Sequence, residues 1–143
     1  MVDYTKPTGE NGMGTMMIRD LGQTVEYWIQ AAWDSTYYYG APYSWVANGS
    51  SGSGTFDYPL GKPWVRVRTM QIVTSQTVQF NLGATGTRGL GGPTNFSQFI
   101  QRATVRVNVN GTWKYAVPYV NQNGTWKIAQ AWINHNGTWK MGG

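Results

Sequence analysis

The sequence predicts an all-β protein, a β-sandwich followed by three tandem β-hairpin repeats, and three observations carry that prediction. From Val107 onward the phrase [Val/Ile]-Asn-x-Asn-Gly-Thr-Trp-Lys occurs three times with a constant period of 13 residues, ending at Lys114, Lys127 and Lys140. Upstream of it, short runs that alternate apolar and polar residues are separated by stretches rich in Gly, Pro and Asn. The composition agrees: 15% aromatic, only 12% charged and 19 glycines in 143 residues supply core material and many turns.

In chain order, residues 1–14 read as an extended N-terminal arm, with ordered pairing from Thr15. Met16 and Ile18 alternate with Met17 and Arg19, a turn follows at Asp20-Leu21-Gly22-Gln23, and Val25, Tyr27, Ile29, Ala31 and Trp33 line one face of a long strand. Asp34 to Ala41, with Tyr37-Tyr38-Tyr39, is irregular, and Tyr43, Trp45 and Ala47 form a short strand after Pro42. Asn48 to Gly54 has linker composition and is expected to be a flexible loop inside the domain. Lys62 to Met70 alternates with Val65 and Val67 inward and Arg66 and Arg68 outward, and Val78, Phe80 and Leu82 mark the next strand. Gly83 to Gly92 is too rich in glycine for a strand, so the next is expected to begin near Ser97 and run on towards Val109. Strands at this spacing make a sandwich of residues 15–106, with the repeats occupying 107–143.

Asn-Gly between β-prone residues signals a tight hairpin, because both residues accept positive φ. Two registers are open. A two-residue loop, Asn110-Gly111, puts Trp113 on the face of Asn108 and Val107 opposite Lys114. A three-residue loop, Val109-Asn110-Gly111 with a G1 bulge, instead pairs Val107 with Trp113, and likewise Val120 with Trp126 and Ile133 with Trp139. The second is preferred because every copy then has one apolar face, and the strands form a meander. A lone two-stranded ribbon is marginal in water, so this tail needs a partner surface.

Chemistry is sparse. There is no cysteine, which removes disulfides, thiolate catalysis and Cys-based zinc sites. His135 occupies a position held by Val109 and Gln122 in the other repeats, a turn position rather than a catalytic one. Nothing brings two of the six acids together for glycoside hydrolysis, and the Gly86-to-Gly92 stretch lacks the Gly-Lys-Ser/Thr ending of a phosphate loop. No catalytic, cofactor-binding or metal-ligating residue is therefore assigned, and no enzyme is expected. The N-terminus has no apolar signal region and no window reaches a membrane span, so synthesis in a cytoplasm without membrane insertion is expected. The sequons at Asn48, Asn95, Asn110, Asn123 and Asn136 then read as turn chemistry rather than glycan acceptors.

Net charge is +5, but unevenly spread. All six acids lie in residues 1–57 against Lys6 and Arg19, giving −4, whereas residues 58–143 hold nine bases and no acid, giving +9. Such a split suits contact between the acidic end of one copy and the basic end of another, or with an anionic surface; simple solvation of outer faces is the plainer reading. Arg66, Arg68, Arg102 and Arg106 amid aromatics give some footing to nucleic-acid binding, but no recognition motif accompanies them, which argues against it. For the tail, Trp113, Trp126, Trp139 and Trp132 with Lys114, Lys127 and Lys140 are the candidate interface or glycan-binding residues. Tryptophan stacks on sugar rings and Asn reads their polar edges. The competing reading, that the Trp row is the repeats' own core, is preferred because a thin meander has little else to bury.

Two segments, Met17-Ile18-Arg19-Asp20-Leu21-Gly22-Gln23-Thr24-Val25-Glu26-Tyr27-Trp28-Ile29 and Ala84-Thr85-Gly86-Thr87-Arg88-Gly89-Leu90-Gly91-Gly92-Pro93-Thr94-Asn95-Phe96-Ser97 leading to Arg102-Ala103-Thr104-Val105, resemble minor tail proteins of siphophages that infect actinobacteria. In the proteins they resemble, these phrases open and close a domain of about this size, and Asn-Gly-x-Trp-Lys repeats are common at the ends of phage tail proteins. The resemblance implies a virion structural protein at the tail tip, assembling with other virion proteins or as a homo-oligomer and exposed to the host cell-wall glycan. A role in decorating the capsid surface or the tail tube stays open. No catalytic residue is implied.

Overall fold

A computed structural model describes residues 1–9, 12–85, 89–102, 105–129 and 131–141, and every regular element in them is a β-strand. The first sheet grows from the segment with the clearest alternation. Gly14–Asp20 (β2) and Thr24–Ala31 (β3) pair in full register across the Leu21-Gly22-Gln23 turn, where Asp20 Oδ1 accepts the Gly22 amide at 2.9 Å. Val2–Thr8 (β1) pairs along its whole length with β2, so ordered pairing begins at Val2 rather than at Thr15. Val65–Gln71 (β6) closes the far edge against β3, in the order β1-β2-β3-β6.

The second sheet is β5-β4-β7-β8, built of Tyr38–Ala47 (β4), Ser50–Tyr58 (β5), Gln76–Leu82 (β7) and Thr94–Ile100 (β8). Here the expected 48–54 loop is corrected. Asn48 and Gly49, both at positive φ, make a two-residue turn, and Ser50 onward is a strand against β4. The glycines that suggested a linker make room for rings. A Cβ on Gly52 would lie within 2.7 Å of the Trp45 ring, and one on Gly54 within 3.0 Å of Tyr43, so the aromatics of β4 cover the bare backbone of β5. The strand expected from Ser97 towards Val109 is two strands: β8 starts at Thr94 and ends at Ile100, and the next begins at Val105.

One core joins the two sheets. Met16, Ile18, Val25, Tyr27 and Ile29 of the first meet Val78, Phe80, Leu82, Phe96 and Ile100 of the second, all buried, with Tyr27 stacked on Phe80 at 4.9 Å between ring centres. Val25, Tyr27, Ile29 and Ala31 form the inward face that the alternation indicates, whereas Trp33 lies beyond the strand and is exposed. The Gly-rich stretch closes one end of this core. Leu90 is fully buried, its amide and that of Gly91 are taken by Thr85 Oγ1, and its carbonyl accepts Thr8 Oγ1. The expected loop there falls partly on residues 86–88, outside the described residues.

A bulge between Tyr27 and Trp28 shifts the β3–β6 register, so Arg68 stands opposite Tyr27 and faces inward, its guanidinium 4.2 Å from the Trp45 ring centre. The expected outward face for Arg68 is thereby corrected. Arg102 is corrected too: it is 4% exposed and forms a bidentate pair with Asp20 at 2.7 and 2.8 Å, while its Nε donates to the Ile72 carbonyl at 2.6 Å. Its own backbone exchanges hydrogen bonds with Ser75 Oγ.

After Arg102 come three separate two-stranded sheets: Val105–Val109 with Thr112–Ala116 (β9, β10), Tyr119–Gln122 with Thr125–Ile128 (β11, β12), and Trp132–His135 with Thr138–Met141 (β13, β14). Among the described residues no ladder joins one hairpin to the next, so they do not form the expected meander.

Removing one partner of a buried ion pair strands the other, so Arg102→Met is expected to cost about 3–5 kcal/mol in urea unfolding, with part recovered when Asp20→Leu is added. The Tyr27 hydroxyl is buried without a hydrogen-bond partner, so Tyr27→Phe should leave stability at pH 7 unchanged or raise it. Burial pushes the phenols of Tyr27 and Tyr58 up. Above about pH 10 the unfolded chain loses these protons while the fold keeps them, so stability falls as pH rises, and less steeply in Tyr27→Phe.

Candidate functional site

The repeat motif is explained residue by residue by its turn. Asn110-Gly111, Asn123-Gly124 and Asn136-Gly137 all have positive φ in both residues, near 52° for Asn and 80° for Gly, the signature of a two-residue type I′ turn. The first Asn of each motif serves the same turn: the side-chain oxygens of Asn108, Asn121 and Asn134 accept the amides of Gly111, Gly124 and Gly137 at 2.8, 2.9 and 3.0 Å. Such a turn matches the right-handed twist of its strands, and it settles the register.

That register corrects the expected pairing of Val with Trp. Trp113 stands opposite Asn108, Trp126 opposite Asn121 and Trp139 opposite Asn134, while Lys114, Lys127 and Lys140 stand opposite Val107, Val120 and Ile133. Since neighbouring residues of a strand point to opposite faces, each hairpin has a Trp-Asn face and a Lys-Val or Lys-Ile face. Trp132 joins Trp139 on the face of the third hairpin. None of these rings is covered: Trp113, Trp126 and Trp139 are 65%, 66% and 63% exposed, and Trp132 is exposed as well. The reading of the Trp row as the repeats' own core is thus overturned. A thin hairpin has no second layer with which to bury a ring, and the turn places Asn, not Val, across from it.

Charge divides differently from the expectation based on the two halves of the chain. Asp20 and Glu26 are paired within the domain, to Arg102 and to Arg66 at 2.9 Å, and Asp3 is paired to Arg19 at 2.8 Å. The hydrogen bond from Arg19 holds the Asp3 carboxyl below its usual range and raises the guanidinium in return. Glu26 also accepts the Trp28 indole N–H at 2.9 Å. Of the arginines expected to alternate outward amid aromatics, Arg66 is tied to Glu26, Arg68 points in and Arg102 is buried, so they do not form a common basic face. The tail, by contrast, contains bases and no acid. His135 precedes the third turn and is exposed, opposite Thr138.

A second surface feature was not singled out in the sequence. Tyr37, Tyr39, Asp57, Tyr58, Pro59 and Leu60 line an open cleft of about 490 Å³. Gly40, at φ +66°, breaks the β4–β5 register between Tyr38 and Ala41, and Tyr37 and Tyr39 are left on the surface with ring centres 6.0 Å apart. The Tyr-Tyr-Tyr-Gly run beside an irregular segment was the available signal. Among the described residues no group of His, Cys, Asp and Glu is arranged to hold a metal ion, and no helix is long and apolar enough to cross a membrane.

Fold and surface together define an all-β domain carrying an array of hairpins that present tryptophan and lysine to solvent. No family model matches the chain, and neither a curated protein nor a solved structure matches it.

Because the ring of Trp126 touches no core, Trp126→Ala is expected to change the melting free energy by less than about 0.5 kcal/mol, read by thermal unfolding. Gly124→Ala, in contrast, forces a Cβ into a positive-φ turn and should unfold that hairpin locally, seen as loss of its amide protection.

Proposed function

We propose that the chain is a non-enzymatic structural protein of a bacteriophage virion, a minor tail protein at the tail tip, whose hairpin array docks on neighbouring virion proteins or on further copies of itself. The observation that carries this reading is the tail itself: three hairpins in tandem, each too thin to bury its own tryptophan, in a stretch with no acidic residue. Apolar side chains stand in water on both faces of each hairpin, Trp126 on one and Val120 on the other in the second copy, and surfaces of that kind gain free energy when covered. The resemblance of the Met17–Ile29 and Ala84–Ser97 phrases to minor tail proteins supplies the class of assembly.

The exposure of the rings opposite Asn also favours a second reading, a carbohydrate-binding module that recognises the host envelope. There, Trp113, Trp126 and Trp139 are stacking platforms, and Lys114, Lys127 and Lys140 face anionic envelope polymers.

The variant Trp113→Ala/Trp126→Ala/Trp139→Ala tests both readings in the full chain. For the structural reading, the variant is expected to keep the wild-type melting temperature and to lose incorporation into particles, with immunogold label on wild-type particles at the distal end of the tail. Label on the capsid, or full incorporation of the variant, overturns that assignment. Normal incorporation with loss of binding to host cell wall establishes the sugar-binding reading instead.

A further inference from the structure

We propose that the cleft between Tyr37, Tyr39 and Asp57 is a binding site for an alkylammonium group, a function separate from the hairpin array and independent of its role. The cleft has a ring on each of two neighbouring exposed positions, Tyr37 and Tyr39, with Pro59 and Leu60 completing an apolar wall. Aromatic faces carry negative potential and attract cations, and an apolar wall accommodates the methyl or methylene groups that surround an ammonium nitrogen.

Charge selects among ligands. Asp57 lines the cleft and is in no ion pair among the described residues; one of its oxygens, Oδ1, accepts the Gly40 amide at 2.8 Å, which fixes the carboxylate at the rim. Among the described residues no Lys, Arg or His lines the cleft, so an anion has no cation there to meet. A neutral sugar can bond the Tyr37 and Tyr39 hydroxyls but leaves the charge of the carboxylate unanswered. The Tyr58 hydroxyl is committed inside the fold, accepting from the Ala31 amide and donating to the Pro63 carbonyl, each at 2.8 Å. A cation needs only what is present, ring faces and one anchored carboxylate. The volume, about 490 Å³, holds a trimethylammonium head with part of its chain.

The site is built rather than incidental to a loop. Gly40 in the left-handed region opens the β4–β5 register just after Tyr37 and Tyr39, which stay on the surface, and the same Gly40 amide positions the carboxylate. The rings and the acid therefore come from two segments distant in sequence, held by one backbone feature.

The test titrates choline into the full chain and follows the resonances of the Tyr37 and Tyr39 rings by NMR, with 3,3-dimethyl-1-butanol, the uncharged isostere, as the control. Saturable shifts with choline and none with the alcohol are expected. Asp57→Asn, which keeps the acceptor for Gly40 and removes the charge, should weaken choline binding about fivefold to tenfold. Tyr39→Ala, on an exposed ring, should abolish it without moving the melting temperature. Equal binding of choline and the alcohol, or indifference of binding to Asp57→Asn, overturns the proposal. So does the absence of a saturable shift up to about 50 mM choline.

Discussion

The pair between Asp20 and Arg102 is the constraint on which the domain depends. Asp20 ends the second strand of one sheet, Arg102 follows the last strand of the other, and the guanidinium also holds the Ile72 carbonyl in the connection between the sheets. Asp20 and Ile72 thus meet on the Arg102 side chain, while Ser75, in the same connection as Ile72, holds the Arg102 backbone. Two charges removed from water attract strongly only when their geometry is satisfied, and here both carboxylate oxygens and the guanidinium are engaged. The pair ties the end of an inner strand of the first sheet to the end of the edge strand of the second.

Much of the domain was legible because its strands obey a single period. Val25, Tyr27, Ile29 and Ala31 alternate with polar residues and are buried as that pattern requires, and the all-β class follows from repeated runs of this sort. The failures share a different cause. Ser50 to Gly54 reads as a linker when taken alone, and becomes a strand because Trp45 and Tyr43 on the neighbouring strand occupy the space that its glycines leave. Arg68 follows the alternation outward in sequence, but a bulge opposite Tyr27 turns it in. Arg102 has no local pattern at all, since its partner lies 82 residues away. Each miss depended on a neighbour that only the fold supplies.

The candidate sites were legible to unequal degrees. Trp113, Trp126 and Trp139 and their lysines stand out by repetition, yet whether the rings were covered turned on a register choice. The preference for an apolar face in every copy weighed packing above turn geometry. In a hairpin this small the turn decides, because two residues with positive φ and an Asn side chain on the turn amide leave no freedom in the pairing. The cleft of Tyr37, Tyr39 and Asp57 escaped notice for the opposite reason. Its parts come from separate segments, and three consecutive tyrosines give no period to follow.

The separateness of the three hairpins has a consequence for how strongly the tail can hold a surface. Each is closed by its own turn and, among the described residues, shares no ladder with the next, so the 13-residue unit is the element of pairing. In the proposed docking role the array would act as a set of linked weak contacts. Once one hairpin has engaged, its neighbours meet a repetitive partner at an effective concentration of about millimolar, and avidity rises with copy number while each single contact stays weak and reversible. Grip is then graded by valency, with the domain unchanged.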